Sequence, residues 1–281
     1  MNQKPVIPFL KWAGGKRWLI QKHTSLIPTR FNRYIEPFLG SGAVFFYLCP
    51  SMSLLSDTNA ELINSYQALK DDWQRVFRIL QMHQRNHNKQ YYYKIRDSRP
   101  LNEYTRAAKF IYLNRTCWNG LYRVNLQGQF NVPKGTKNSV TLDTDDFESV
   151  SRYLQYSELR IEDFEKTIEV AQHGDFLFVD PPYTVKHGNN SFIKYNERLF
   201  HWNDQLRLHR CLEDARKRGA MIVLTNACHS SIKKLYQDSF EILTIHRNSV
   251  IAANSKYRRI SEEFIIRSIQ NGPANCDYPT S

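Results

Sequence analysis

The apolar run Phe176-Leu177-Phe178-Val179 stops at Asp180-Pro181-Pro182-Tyr183, and no other junction constrains the fold of this chain as much. Four consecutive apolar residues bounded by turn formers read as a buried central strand. Ligands of open α/β sheets bind outside the carboxyl ends of such strands. Here that end carries a carboxylate, two prolines and an aromatic ring. The prolines fix φ and lack an N–H, so their carbonyls can face a ligand without a competing local donor. Carboxylate and carbonyl oxygens suit an exocyclic amino group, which has hydrogens to give, and Tyr183 offers a planar base a face to stack on. A strand followed by a proline-stiffened turn has the same four residues, so the reading depends on their company.

Three segments supply that company. Arg33-Tyr34-Ile35 leads into Glu36-Pro37-Phe38-Leu39-Gly40-Ser41-Gly42 and then into a helix-like run, Ala43 to Leu48. Gly40 and Gly42 let the backbone approach a ligand closely, although the third glycine of the dinucleotide fingerprint is missing. Leu54-Leu55-Ser56-Asp57 is a second short strand ending in an acid, able to accept from a ribose or an ammonium group. Upstream, Phe9-Leu10-Lys11-Trp12-Ala13-Gly14-Gly15-Lys16-Arg17 sets two glycines among cations and a tryptophan. Lys16 can meet a carboxylate, and Trp12 can cover an apolar or sulfonium group by stacking or cation–π contact.

Strands are expected at Tyr34-Ile35, Leu54-Leu55, Leu159 to Ile161, Phe176 to Val179, Met221 to Thr225, Phe240 to Ile245 and Glu263 to Ile269. Helical patterns separate most of them. Asp204 to Arg218 is the clearest, with Gly219 as its stop. Alternating strands and helices argue for a doubly wound, mostly parallel α/β sheet, and the last two strands for an antiparallel pair. Between Asp57 and Leu159 the pattern changes. Residues 59–72, 73–86 and 103–115 read as helices, and Gly120 to Pro133 as a hairpin with Gln127-Gly128 at its turn. The expected organisation is a catalytic domain over residues 1–57 and 144–270, a mostly helical insertion over 58–143, and a loose tail over 271–281. Helix Thr144 to Leu154 would return the chain to the sheet.

The blocks Phe9 to Arg17, Glu36 to Gly42, Ser56-Asp57 with Asn59 to Leu62, and Asp180 to Tyr183 resemble the DNA adenine methyltransferase (Dam) family. The resemblance continues through Asn114-Arg115, Trp118 to Asn125 and Phe130 to Pro133, covering roughly residues 9–269. It implies a Rossmann-like methyltransferase sheet with an inserted target-recognition domain that carries a β-hairpin. The implied reaction moves a methyl group from S-adenosyl-L-methionine to N6 of a flipped-out adenine in double-stranded DNA, at GATC. Trp12 and Lys16 would hold the methionine end of the cofactor, Glu36, Phe38 and Gly40 would line its cleft, and Asp57 would accept from its ribose. Asp163-Phe164, at the end of the third strand, would lie beside its adenine ring. Asp180, Pro181, Pro182 and Tyr183 would hold the target base, with Asp180 also bordering the cofactor. Lys11, Trp118, Asn119, Leu121, Arg123, Asn131 and Pro133 would face DNA. An arginine such as Arg123 can read guanine bidentately, and Leu121 and Pro133 can meet a thymine methyl. Residues 134–137, Lys-Gly-Thr-Lys, depart from the family's usual aromatic and arginine.

Charge agrees. The net charge is +12 over 281 residues, which suits a polyanionic partner. Residues 58–145 hold 14 Lys and Arg against 7 Asp and Glu, so over half of that surplus sits in the insertion. Five cysteines are scattered without a Cys-x-x-Cys pair, as reduced thiols of a cytoplasmic protein are. His83 and His87 have i, i+4 spacing but no accompanying acid, so no metal is expected. No apolar run reaches membrane-spanning length. The polar stretch 184–202 reads as a loop closing over the flipped base, and 248–261 as a phosphate-facing loop. A monomer is expected, with a cognate restriction endonuclease as a functional partner. The rivals are an RNA or protein-amide methyltransferase and a non-catalytic DNA-binding relative. Neither rival enzyme group carries the Asn119 to Pro133 block, and a decayed relative would not keep every cofactor-motif residue.

Overall fold

A computed structural model describes residues 5–120, 122–125, 129–185, 200–248 and 260–268. The chain divides into two compact units, Met1–Val170 and Ala171–Ser281. Their described residues hold seven strands, with the mixed α/β, Rossmann-like alternation expected from the sequence.

The first unit contains three parallel strands, β1 (Tyr34–Glu36), β2 (Ser53–Asp57) and β3 (Ser157–Ile161), in the order β3-β2-β1. Ile35 pairs with Leu54, and Leu55 with Leu159. Helix α1 (Arg17–Lys22) precedes the sheet and α2 (Ala43–Leu48) links β1 to β2. The chain then leaves the sheet for α3 (Ala60–Asn86), α4 (Lys89–Asp97) and α5 (Glu103–Thr116), and returns through α6 (Phe147–Leu154). Each start has a local cause. Asn59 accepts from the N–H groups of Glu61 and Leu62, Asn102 from Tyr104 and Thr105, and Asp146 from Ser149, satisfying amides that helix geometry leaves over. The two helices expected over 59–86 are one element broken at Asp72, whose φ is −152° and ψ 78°. Its carboxylate accepts from Arg75 N and so caps the second half. The aromatic core of this unit joins Phe9, Phe46 and Tyr66.

Three sequence expectations need correction. Helix α4 lies where none was expected. Helix α6 starts at Phe147 rather than Thr144, because Asp146 is its cap. Asp163 does not end a strand: β3 stops at Ile161, and Asp163 caps α7 (Phe164–Glu169) by accepting from Glu165 N.

The second unit holds β4 (Phe176–Val179), α8 (Trp202–Lys217), β5 (Met221–Ala227), α9 (Ser230–Tyr236), β6 (Glu241–Asn248) and β7 (Ile260–Arg267). The strand order is β4-β5-β7-β6. β4 and β5 are parallel, and β7 inserts antiparallel to both β5 and β6. Gly219 ends α8 as expected. Its φ is +90°, and an added Cβ would lie 2.5 Å from His173 Cδ2, so only glycine fits there.

Candidate active site and nucleic-acid interface

In the first unit, the turn after β1 brings several sequence-predicted residues together. Gly40 and Gly42 have φ of +48° and +61°, in the left-handed region. Gly40 is also a close approach, since an added Cβ would lie 2.6 Å from Trp12 Cδ1. The Trp12 indole thus lies on the glycine, and it also stacks on Tyr122 at 6.1 Å and makes a tilted contact with Phe110. Gly40 N donates to Asp57 Oδ2 at 3.3 Å, and Asn59 N to Asp57 Oδ1 at 2.9 Å. Desolvation raises the Asp57 carboxyl to about 6, against the pull of the backbone N–H groups that bond it. Tyr66, on α3, donates to Gly40 O at 3.0 Å and pins the turn from below. Sequence reasoning missed Tyr66, because its place in the apolar period of α3 looks like any other core position.

Glu36 is buried and accepts from Tyr34 OH at 2.9 Å, two residues apart on one face of β1. Phe38 stacks on the buried Phe164 at 5.4 Å. Lys16 is only 3% exposed. Its Nζ donates to Gly14 O at 2.6 Å, which gives it a structural part in the Gly14-Gly15 turn that its sequence context did not suggest.

The residues expected to face DNA sit on a braced scaffold in the same unit. Asn114 clamps the backbone of Lys11 from both sides, accepting from Lys11 N at 2.9 Å and donating to Lys11 O at 2.7 Å. The Lys11 stem packs on Gly120, where an added Cβ would lie 2.9 Å from Lys11 Cδ. Burial, with Lys137 beside it, lowers the Lys11 ammonium to about 8. Trp118 N donates to Pro133 O, and Gly135 N to Thr116 O, tying the end of α5 to residues 133–135. Asn119 takes a left-handed φ of 55° in that turn. Val132 is buried beneath, and its carbonyl accepts from Tyr92 OH at 2.9 Å. Trp118 is 53% exposed, and Asn119, Arg123, Asn131 and Pro133 are exposed as well. The hairpin is visible at its described ends as the bridge Val124 to Phe130, with Asn125 N donating to Gln129 O. Leu121 and the turn at 126–128 lie outside the described residues. His83 and His87 turn their Nδ1 atoms to the hydroxyls of Tyr91 and Tyr112, both at 2.8 Å. Among the described residues no group of His, Cys, Asp and Glu could hold a metal ion, and no helix is long and apolar enough to cross a membrane.

In the second unit, β4 is buried along its whole length and delivers Asp180 to its carboxyl end. Thr225 Oγ1 donates to Asp180 Oδ1 at 2.5 Å, fixing the rotation of that carboxylate. Tyr183 OH donates to Glu263 Oε2 at 2.9 Å. Desolvation first, then the Asp180 and Glu263 charges, push the phenol far above its usual range, so the tyrosine stays protonated. Thr184 Oγ1 donates to Phe200 O at 2.6 Å. Thr225 and Glu263 were not singled out in the sequence. Val179 pairs with Leu224, and this register sets Thr225 beside Asp180. Of the stretches 184–202 and 248–261, read as the closing and phosphate-facing loops, residues 186–199 and 249–259 lie outside the described residues. Trp202 starts α8, Asn248 ends β6, and Ile260 and Ser261 begin β7, so these ends are not loop.

This geometry can be set beside known proteins. The sequence model of the D12 class N6 adenine-specific DNA methyltransferases matches residues 12–251. The type II methyltransferase M1.LlaDCHI of Lactococcus lactis subsp. cremoris is 38% identical, over 96% of this chain and 98% of that one. The type II methyltransferase M.MjaIII of Methanocaldococcus jannaschii is 34% identical, over 90% and 96% respectively. The DNA adenine methylase of Vibrio cholerae is 29% identical, over 92% and 94%. With nearly its full length matched, the chain belongs to the D12 class of N6 adenine-specific DNA methyltransferases.

Proposed function

We propose that this adenine-specific DNA methyltransferase acts on GATC in double-stranded DNA, taking its methyl group from S-adenosyl-L-methionine. The fixed carboxylate of Asp180, held by Thr225 at the end of β4, carries this reading. The donor residues of the first unit fit the cofactor chemically. Asp57 presents a carboxylate able to accept from a diol, Phe38 and Phe164 offer an apolar ring face, and Trp12 lies over Gly40. Lys16, Glu36 and Asp163 complete that set.

When bound, the cofactor supplies an already electrophilic sulfonium methyl, so the chain needs little acid–base chemistry. Its task is to orient a poor nucleophile. The Asp180 carboxylate and the Pro181 carbonyl accept hydrogen bonds from the two N6 hydrogens, favouring a tetrahedral nitrogen and stabilising the positive charge that grows on it. One of those protons then leaves through Asp180 to give the neutral methylamine. Pro182 stiffens the turn that aims them. Unstacking the target base costs a few kcal/mol, and stacking on Tyr183 returns about 1–3 kcal/mol.

Site choice falls to the proposed target-recognition insertion, residues 58–143, together with Lys11. The remainder, 1–57 and 144–270, forms the proposed catalytic domain. Arg123 reads guanine, Leu121 and Pro133 meet thymine methyls, Lys11 reaches the outer guanine, and Trp118, Asn119 and Asn131 support the bases around the vacated stack. Two relatives named as type II methyltransferases support a pairing with a restriction endonuclease of the same site. Sequencing of modified adenines in DNA from cells expressing the chain tests the whole proposal, and modification at another motif overturns GATC.

Arg123→Ala is expected to relax choice at one guanine position by about 1–3 kcal/mol, with far less effect on binding to random DNA. An equal loss on all sequences, measured by competition binding, makes Arg123 a phosphate contact instead.

A second expectation concerns pH. Asp57 accepts hydrogen bonds best when ionised, and its carboxyl stands raised at about 6. Cofactor affinity is therefore expected to fall as pH drops through about 6 and to be level above 7. Asp57→Asn is expected to bind weakly at every pH, without that acid limb. A wild-type affinity that is constant from pH 5 to 8 in calorimetric titration removes Asp57 from the cofactor site.

A further inference from the structure

Base stacking asks nothing of the Tyr183 hydroxyl, yet the second unit places a buried acid against it. Glu263 sits on β7, between β5 and β6, with Ala227 and Ile245 as its pair partners. It is only 7% exposed, whereas its neighbour Glu262 points outward toward His246 and Cys228. Burying a carboxylate is costly unless it is hydrogen-bonded, and Glu263 accepts from Tyr183 OH at 2.9 Å. A strand paired on both sides moves little, so it makes a firm anchor.

We propose that Glu263 is a positioning residue for methyl transfer: through the phenol hydroxyl it fixes the plane of the Tyr183 ring on which the target adenine stacks. The proposal rests on the reading that Tyr183 holds the flipped base. A ring free to swing about its own torsions would still pack, but the amine would spend less time in line with the methyl group, and kcat would fall with little change in cofactor binding.

The test combines four variants of the full chain: Glu263→Ala, Glu263→Gln, Tyr183→Phe and the double variant Tyr183→Phe/Glu263→Ala. The readouts are kcat, KM for DNA, cofactor affinity, and the fluorescence of 2-aminopurine replacing the target adenine at the sequenced site. Glu263→Ala is expected to lose about tenfold in kcat and part of the fluorescence rise, with cofactor affinity within twofold of wild type. Glu263→Gln keeps an acceptor oxygen and is expected to stay within about threefold. Tyr183→Phe removes the same bond from the other side and is expected to match the Glu263→Ala loss. In the Phe background Glu263→Ala is expected to cost less than twofold more, because the contact is already gone. Equal losses from Glu263→Ala in both backgrounds overturn the proposal, as does a Tyr183→Phe variant with wild-type kcat. The second outcome decides the matter even if Glu263→Ala fails to fold. Tyr183→Ala is the separate control: wild-type kcat there sinks the base-holding reading itself, whatever Glu263 does.

Discussion

Asp180→Ala is expected to lower kcat by roughly 10²–10³-fold, the scale of removing one preorganised group aimed at transition-state charge. In the proposed mechanism the positive charge growing on N6 lies beside this carboxylate, and nothing else in the tetrad carries a negative charge. Most of the loss should appear in kcat, because the contact strengthens as charge develops. Folding should survive. Asp180 stands at the end of β4, past the buried run Phe176–Val179, and its carboxylate accepts from the Thr225 hydroxyl. DNA binding should survive as well, because the residues proposed to face DNA belong to the other unit. A single-turnover assay with a thermal melt and a binding titration separates the three quantities. A variant with more than about a tenth of wild-type kcat removes the hydrogen-bond role assigned to Asp180.

Some of this site was legible in the sequence because its signals were local. Phe176–Val179 is a strand with the expected bounds, since four apolar residues closed by two prolines leave little choice. Asp72 broke the helical pattern at the position where the helix breaks, because a short acid competes with the backbone for its own amides. Other features depend on partners far along the chain. Nothing around Thr225 names Asp180, and nothing around Glu263 names Tyr183; only the pairing of β4, β5 and β7 makes them neighbours. Asp163 shows a local ambiguity instead, since an acid between an apolar run and a helix reads equally well as a strand end or as a cap. Helix α4 escaped notice because Tyr91-Tyr92-Tyr93 favours strands by propensity. Its Asn88 cap and the burial of Tyr92 override that preference.

Arg115 shows how a motif that resembles a functional signature can serve architecture, and its replacement is expected to have the largest effect on stability. The side chain is 2% exposed at the end of α5. Its guanidinium meets Asp145 as a fork, with Nη1 to Oδ2 at 2.7 Å and Nη2 to Oδ1 at 2.6 Å. The remaining donors reach Phe9 O at 3.0 and 3.3 Å and Val140 O at 2.7 Å, while the Phe147 ring lies 5.6 Å from the guanidinium carbon. One planar group with five N–H donors thus joins α5, the segment before Lys11, and the loop leading to α6. Lysine cannot reproduce that fork. Arg115→Ala leaves Asp145, 6% exposed, without its cation, and breaking a buried pair in this way costs about 3–5 kcal/mol. At roughly 2–4 °C per kcal/mol, the transition of the first unit should fall by about 6–20 °C. Arg115→Met/Asp145→Leu should recover a good part of the loss, since the uncompensated charge is gone although two carbonyls still lack donors. Urea denaturation of both variants decides the point. A loss under about 1 kcal/mol in Arg115→Ala means that the three segments hold together without the arginine.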